Sequence, residues 1–458
     1  MTDNIIMKTD SYKVSHYKQY PKGTENVYSY IESRGGEFKT TVFFGLQYII
    51  KKHLLKPIIM VDVDEAEKFW NAHLGPGVFH REGWEHIVLD HGGKLPLRIK
   101  AVPEGTIVPV GNVLVTVENI CKKCYWLTSY VETILMQVWY PTTVATISRE
   151  IKKLILDGLV KTGDTSLIDF KLHDFGYRGV SSYESAGIGG VAHLVNFKGT
   201  DTAAGLEFAH EFYGEPMAGF SIPAAEHSTM TAWGEENEAE AFANMLDSFP
   251  KGLVAVVSDS YNIYRACEET WGTKLKEKVL GRDGVVVVRP DSGIPHEVVL
   301  QVVTILGDKF GYAINEKGYK VLNPKIRVIQ GDGVDYDEIK RILDNLIGSG
   351  WSVDNIAFGM GGGLLQKLNR DTQSFAMKCS SVIVDGKERE VFKSPVGGFK
   401  KSKKGKLRLV KDVSEGYKTL PPLEGGDDLL ETVFLNGNMV SDIFENIRKR
   451  AEARVYEI

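Results

Sequence analysis

Several segments of the chain set cations, carboxylates and glycines close enough together to handle a phosphorylated ligand. In Arg289-Pro290-Asp291-Ser292-Gly293 a cation and an anion stand two residues apart, with a proline stiffening the turn between them. A guanidinium so placed can grip phosphate or carboxamide oxygen, while the carboxylate accepts from sugar hydroxyls or orients a hydrated metal. Gly331-Asp332-Gly333 and Gly359-Met360-Gly361-Gly362-Gly363 let backbone N–H groups approach phosphate. Neither has the spacing of the dinucleotide fingerprint or of the lysine-ended phosphate loop. Arg370 follows the second glycine loop on what reads as a helix, where it can add a cation. Glu226-His227-Ser228 puts a histidine, the side chain that changes charge near neutral pH, beside a carboxylate. Asp174-Phe175-Gly176-Tyr177-Arg178 offers an aromatic face for a flat ring and a guanidinium for phosphate.

These clusters share one context. Each follows a run of three to six mostly apolar residues: Ile168–His173, Phe220–Ala225, Val285–Val288, Ile326–Ile329 and Ile356–Phe358, with Leu253–Val257 leading into Ser258-Asp259-Ser260. Short Val/Ile runs of this kind suit buried parallel strands. Between them Val298–Phe310 and Tyr336–Leu346 carry their apolar residues on one helical face. Repeating strand–helix units predict an α/β barrel or a doubly wound sheet, and both bind ligands at the carboxyl ends of their strands. Six units are countable rather than eight, so the expected barrel is irregular.

The flanks read differently. Residues 1–150 mix helices at Thr41–Leu55 and Trp126–Trp139 with strands at Leu95–Val102 and Asn112–Val117. In residues 374–458, Phe375–Val384 and Arg389–Phe392 read as a hairpin and Asp442–Val455 as a helix. The expected organisation is an N-terminal α+β domain at 1–150, the barrel with the active site at 151–373, and a 374–458 segment that packs on the N-terminal domain.

Composition narrows the function classes. The 458 residues include 47 glycines and 16 prolines, so the glycine surplus is not a Pro/Gly disorder signature. A net charge of −5 disfavours nucleic acid as the main partner. No apolar run reaches the roughly 18–20 residues of a membrane span, and the first ten residues lack a secretory pattern. The expected location is the cytoplasm, where the four cysteines stay reduced. Cys121-Lys122-Lys123-Cys124 is a lone C-x-x-C and reads as ordinary thiols. His53, His73 and His86 read as structural. Lys400-Lys401-Ser402-Lys403-Lys404 reads as a solvated basic loop or an anion clamp.

The segments Thr9–Lys13, Lys171–Ser182, Phe197–Thr202, Pro223–Ser228, Arg289–Gly293, Val328–Val334 and Gly361–Leu368 closely resemble the nicotinate/nicotinamide phosphoribosyltransferase family, and its nicotinamide-using branch in particular. The resemblance runs from about residue 5 to 445. It implies an irregular α/β barrel of the type II phosphoribosyltransferase kind beside an α+β domain. It implies a pentosyltransferase of NAD salvage that makes nicotinamide mononucleotide and pyrophosphate from nicotinamide and 5-phosphoribosyl 1-pyrophosphate. It also implies Mg²⁺ bound with pyrophosphate, and a homodimer with shared active sites.

By the same resemblance, Phe175 stacks on one face of nicotinamide and Tyr12 of the partner subunit covers the other. Asp201 accepts from the carboxamide NH₂, and Arg289 meets the carboxamide oxygen or pyrophosphate. Asp291 and the Gly331-Asp332 turn hold the ribose. Gly362 and Arg370 bind the 5′-phosphate, and Arg178 and His227 meet pyrophosphate. His227 and Asp291 are the expected catalytic residues, with His227 the site where ATP-derived phosphate attaches. Arg34, Lys378, Lys393 and one of Lys400 or Lys401 resemble further phosphate contacts. Met360 stands where a relative of the family carries serine, so a serine hydroxyl contact to phosphate there is lost. The metal ligands are left unassigned. A nicotinate phosphoribosyltransferase and a non-catalytic nucleotide-binding homologue are the competing readings.

Overall fold

The computed structural model describes residues 4–393, 402–412, 416–422 and 424–452. The chain divides into two compact units. Unit 1 comprises Met1–Thr146, Glu211–Glu215 and Asn369–Ala451; unit 2 comprises Ile147–His210, Pro216–Leu368 and Glu452–Ile458.

Unit 2 is built on six parallel strands in the order Gly199–Thr200, Leu172–Asp174, Ile356–Met360, Ile326–Gln330, Asp283–Arg289 and Lys251–Val257. The run expected as a strand at Phe220–Ala225 forms no regular strand. Instead it touches both edges of the sheet, Phe220 bridging Gly199 and Ala224 bridging Ala255, each in parallel. Backbone bonds from Thr200 N to Phe220 O (3.0 Å) and from Ala225 N to Ala255 O (2.9 Å) make the circuit. Pro223 lacks an N–H and cannot extend a ladder there, so one short segment closes an irregular barrel with isolated bridges. Inside the barrel, Ala255, Val287 and Ile329 form an apolar plug against which Phe175, Ile222 and Ala357 pack.

Helices Pro295–Phe310 and Tyr336–Gly348 follow two of these strands. The first starts with proline at its first turn, and the second is capped by Asp335, whose side chain accepts from Glu338 N. Val298, Val299, Val302, Val303 and Leu306 from one, and Ile339, Ile342, Leu343 and Leu346 from the other, are buried. Each such side chain contributes roughly 1.5–3 kcal/mol of burial.

Unit 1 holds a seven-stranded sheet. The N-terminal strand Thr24–Ser33 pairs antiparallel with both Phe375–Val384 and Val113–Asn119, so the two flanks share one sheet. Three expected helices are shorter or broken. Thr41–Leu55 begins as strand Thr40–Val42, and its helix starts at Leu46 after Gly45 takes φ +100°. Trp126–Trp139 is a series of single turns, Leu127–Tyr130, Glu132–Leu135 and Met136–Val138, leading into the long helix Trp139–Thr162. The boundary between the units falls within that helix. The last helix spans Phe444–Ala451.

Candidate active site

The parallel sheet puts every strand's carboxyl end on one rim, and the polar clusters lie there. A cleft of about 1130 Å³ opens on that rim, lined by Phe175, Arg178, Asp201, Glu226, His227, Arg289, Asp291, Gly331, Asp332, Gly361 and Gly362 among others. The expected residues Phe175, Arg178, Asp201, His227, Arg289, Asp291, Gly331, Asp332 and Gly362 are thus brought together within unit 2.

The Phe175 ring is seated by glycines. A Cβ on Gly359 would lie 2.0 Å from the ring and one on Gly331 would lie 3.1 Å from it, so only glycine admits the ring at Gly359. The preceding residue, Asp174, is fully buried and accepts from Gly176 N at 2.7 Å, which fixes the turn that aims Phe175. Burial pushes the Asp174 carboxyl up to about 6. Asp201 is tied to the same turn, its N–H donating to Asp174 O at 2.9 Å. Its carboxylate accepts from the Ser221 hydroxyl, and a carboxylate in this position is an acceptor for an amide NH₂.

Charge is concentrated a few residues further round. Arg289, the last residue of its strand, donates to Asp291 at 3.0 Å. Burial raises the Asp291 carboxyl above its ordinary range, and this outweighs the pull of Arg289. The Arg289 Nε is buried without a hydrogen-bond partner among the described residues, which leaves a donor uncommitted. His227 opens the short helix His227–Thr231, and its Nε2 lies 2.9 Å from the nearly buried Asp259 carboxylate. Held this way, Nε2–H donates to Asp259 and Nδ1 remains a nucleophile or acceptor. Arg178 reaches Glu226 at only 3.5 Å and is largely exposed, so its guanidinium is available to an anion.

The glycine loop follows strand Ile356–Met360. A Cβ on Gly362 would meet nothing within 4 Å, so any side chain there would project into open space in the cleft. Met360 does not occupy that space. It is buried, its carbonyl accepts from Phe175 N at 3.0 Å, and its methyl lies beneath Gly363, where an added Cβ would come within 2.9 Å of it. Arg370 is not on a helix as expected. The helix after the loop is only Gly362–Leu365, and Arg370 lies in a turn. Two glycines in a four-residue helix lower its propensity to extend.

Tyr12, Arg34, Arg370, Lys378 and Lys393 belong to unit 1 and are not among the residues lining the cleft. Tyr12 is exposed on the 3₁₀ turn Ser11–Lys18. Lys378 lies on strand Phe375–Val384. Burial lowers its ammonium, and Arg34, Lys393 and Arg370 lower it further against the pull of Glu132. Lys400 and Lys401 lie outside the described residues. Two further residues, Asp259 and Ser221, position the site. Asp259 had a signal, an acidic residue just past an apolar run, whereas Ser221 had none.

Comparison with known proteins agrees with this geometry. The profile of the nicotinate phosphoribosyltransferase (NAPRTase) family matches residues 170–437, and that of the nicotinamide phosphoribosyltransferase N-terminal domain matches residues 4–99. A nicotinamide phosphoribosyltransferase of Xanthomonas campestris pv. campestris is 50% identical, with 98% of each chain covered. One from Acinetobacter baylyi is 34% identical, covering 98% of this chain and 97% of its own. Among solved structures, a nicotinate-nucleotide pyrophosphorylase from Pyrococcus furiosus superposes with TM-score 0.61 at 16% identity, over 98% of this chain and 95% of that one. Human nicotinic acid phosphoribosyltransferase gives 0.55 at 16% identity, over 97% and 92%. These two share the fold. With a cleft of this chemistry at the carboxyl rim and relatives matched from end to end, the chain belongs to the nicotinate phosphoribosyltransferase family and groups with its nicotinamide phosphoribosyltransferases.

Proposed function

We propose that the protein transfers the 5-phosphoribosyl group of 5-phosphoribosyl 1-pyrophosphate to nicotinamide, releasing pyrophosphate and forming nicotinamide mononucleotide for NAD synthesis. The observation that carries this reading is the convergence of an aromatic platform, an amide acceptor, an Arg–Asp pair and two glycine loops on one rim. The ring nitrogen of nicotinamide has a free lone pair and attacks C1 of the ribose as the bond to pyrophosphate oxygen breaks. No base is needed, and the leaving group carries away the electron pair. Catalysis then consists of alignment and stabilisation of charge on the departing pyrophosphate. Phe175 stacks on the nicotinamide ring and Asp201 accepts from its carboxamide. Arg289 meets the carboxamide oxygen or pyrophosphate, and Asp291 with the Gly331-Asp332 turn holds the ribose. The amides of the loop at Gly362 and the Arg370 guanidinium hold the 5′-phosphate, and Arg178 and His227 face the pyrophosphate.

Magnesium enters this reading with the pyrophosphate-bearing substrate. Asp291 and Asp332 would hold it through their hard carboxylate oxygens, and when bound it would supply charge neutralisation for the leaving group. The reading further includes phosphorylation of His227 Nδ1 by ATP as a stimulus, with Asp259 holding the ring. It also includes a homodimer in which Tyr12 of the partner subunit covers nicotinamide and Arg34, Lys378 and Lys393 contact phosphates. A cytoplasmic location belongs to it as well. No helix among the described residues is long and apolar enough to cross a membrane.

The competing reading is a nicotinate enzyme. The Asp201 carboxylate disfavours it, because a carboxylate repels nicotinate and accepts from an amide. Pyrophosphate release measured with nicotinamide, with nicotinate and with no base decides between them. Release that depends on nicotinamide is expected. Release with nicotinate alone, or release independent of any base, overturns the assignment.

A further inference from the structure

The C-x-x-C that reads as ordinary thiols in the sequence has company in the fold. Cys121 and Cys124 sit at a 3₁₀ turn just after strand Val113–Asn119, and His86 and His91 lie on helix Arg81–His91, all within unit 1. One ligand atom from each of the four residues lies within 4.8 Å of all the others. No other group of three or more His, Cys, Asp or Glu among the described residues meets that condition. The His86 Nε2 is 3.3 Å from the Cys121 Sγ. A tetrahedral zinc ion with bonds of about 2.0–2.3 Å sets its ligand atoms roughly 3.3–3.8 Å apart. The widest pair here needs to close by about 1 Å, which a rotamer adjustment supplies.

Two further features fit a metal. The His86 Nδ1 donates to the Asp90 carboxylate at 2.6 Å, which fixes the tautomer whose Nε2 lone pair points at the cluster. Such a carboxylate behind a histidine is the usual support of a zinc ligand. Cys124 is fully buried and Cys121 half-buried, so a bound ion would be shielded from water on the thiol side. Spacings H-x₄-H and C-x₂-C are those of structural zinc sites, and two thiolates with two neutral imidazoles balance a divalent charge.

We propose that His86, His91, Cys121 and Cys124 form a structural zinc site that staples helix Arg81–His91 to the turn after strand Val113–Asn119. Binding displaces the two thiol protons to solvent as two sulfur–zinc and two nitrogen–zinc bonds form, with no change of oxidation state.

The test is the metal content of the full chain, purified without a polyhistidine tag. About one zinc per chain is expected, falling at least roughly tenfold in the Cys121→Ser/Cys124→Ser variant and in His91→Ala. Should those variants fail to fold, Co²⁺ added to the metal-stripped unaltered chain decides. Thiolate-to-cobalt charge transfer with tetrahedral d–d bands supports the site. Absence of both zinc and the cobalt spectrum overturns it, as does zinc that persists in the variants or a Cys121–Cys124 disulfide found by thiol counting.

Discussion

The two ends of the parallel strands use the same residue types for opposite purposes. At the amino ends, Lys171 donates to the carbonyls of Val353, Asp354 and Ile356 at 3.2, 3.1 and 2.9 Å. Arg327 donates to the carbonyls of Leu322, Asn323 and Ile326, and Arg282 to those of Phe249, Lys251 and Gly252. These cations are spent mainly on backbone oxygens beside the strand starts. At the carboxyl ends, Arg178 is exposed, Arg289 keeps a buried donor without a partner, and His227 is held by Asp259 through one nitrogen only. Residue type therefore does not separate structural from chemical cations in this fold; what separates them is whether the charged group lies among backbone carbonyls or lines the cleft.

The largest expected effect falls at the carboxyl rim. Arg289→Ala should lower kcat/KM for pyrophosphate release by roughly 10²–10³, the usual cost of removing a donor from developing charge, with little change in Tm. Steady-state kinetics and calorimetry on one preparation check this, and a large fall in Tm would make Arg289 a structural cation like those at the other end.

Asp174 offers a pH test. Its folded carboxyl is held near 6, above the 3.8 of an exposed aspartate, so the native state keeps the proton to higher pH than the unfolded chain does. Below about pH 4 both states are protonated and nothing is lost; as pH rises through the window to 6 the buried charge costs stability. Relative to the unaltered chain, Asp174→Asn should gain on the order of 3 kcal/mol between pH 4 and 7. Urea titrations across that range measure it, and a pH-independent difference would mean the carboxyl is not raised.

Lys171→Met probes the amino end. Loss of its charged hydrogen bonds should cost about 2 kcal/mol in urea unfolding, while kcat/KM per folded enzyme stays within about twofold. Asp201→Asn should give the smallest effect, a roughly tenfold drop, worth about 1.4 kcal/mol, in preference for nicotinamide over nicotinate. Unchanged ratios in paired assays would remove Asp201 from base selection.

The strand ends were legible because each apolar run stops abruptly at a glycine or at a polar or charged residue, and parallel order then forces those stops onto one rim. The link through Phe220–Ala225 was legible as an apolar run but not as a pair of bridges, since pairing to both edges depends on closure that no local pattern encodes. Arg370 read as helical, yet the helix that opens at Gly362 stops at Leu365, where Gln366 leaves the helical conformation with φ −130°. Asp259 was visible as an acidic strand-end residue, but its partner His227 lies 32 positions away and only the sheet brings them together. The glycines around Phe175 explain part of the surplus: Gly359 and Gly331 yield room to a ring, and Gly362 leaves the cleft clear. His86 and Cys121 are 35 residues apart, and their meeting was equally hidden.

The most direct test of the central claim is a crystal structure of the complex with nicotinamide mononucleotide and pyrophosphate. The pyridine ring is expected to stack on Phe175 with its carboxamide at Asp201, the phosphate to sit at the Gly361-Gly362-Gly363 loop, and pyrophosphate to lie beside Arg178 and His227. A nucleotide bound away from the carboxyl rim, or one with its ring turned from Phe175, would contradict it.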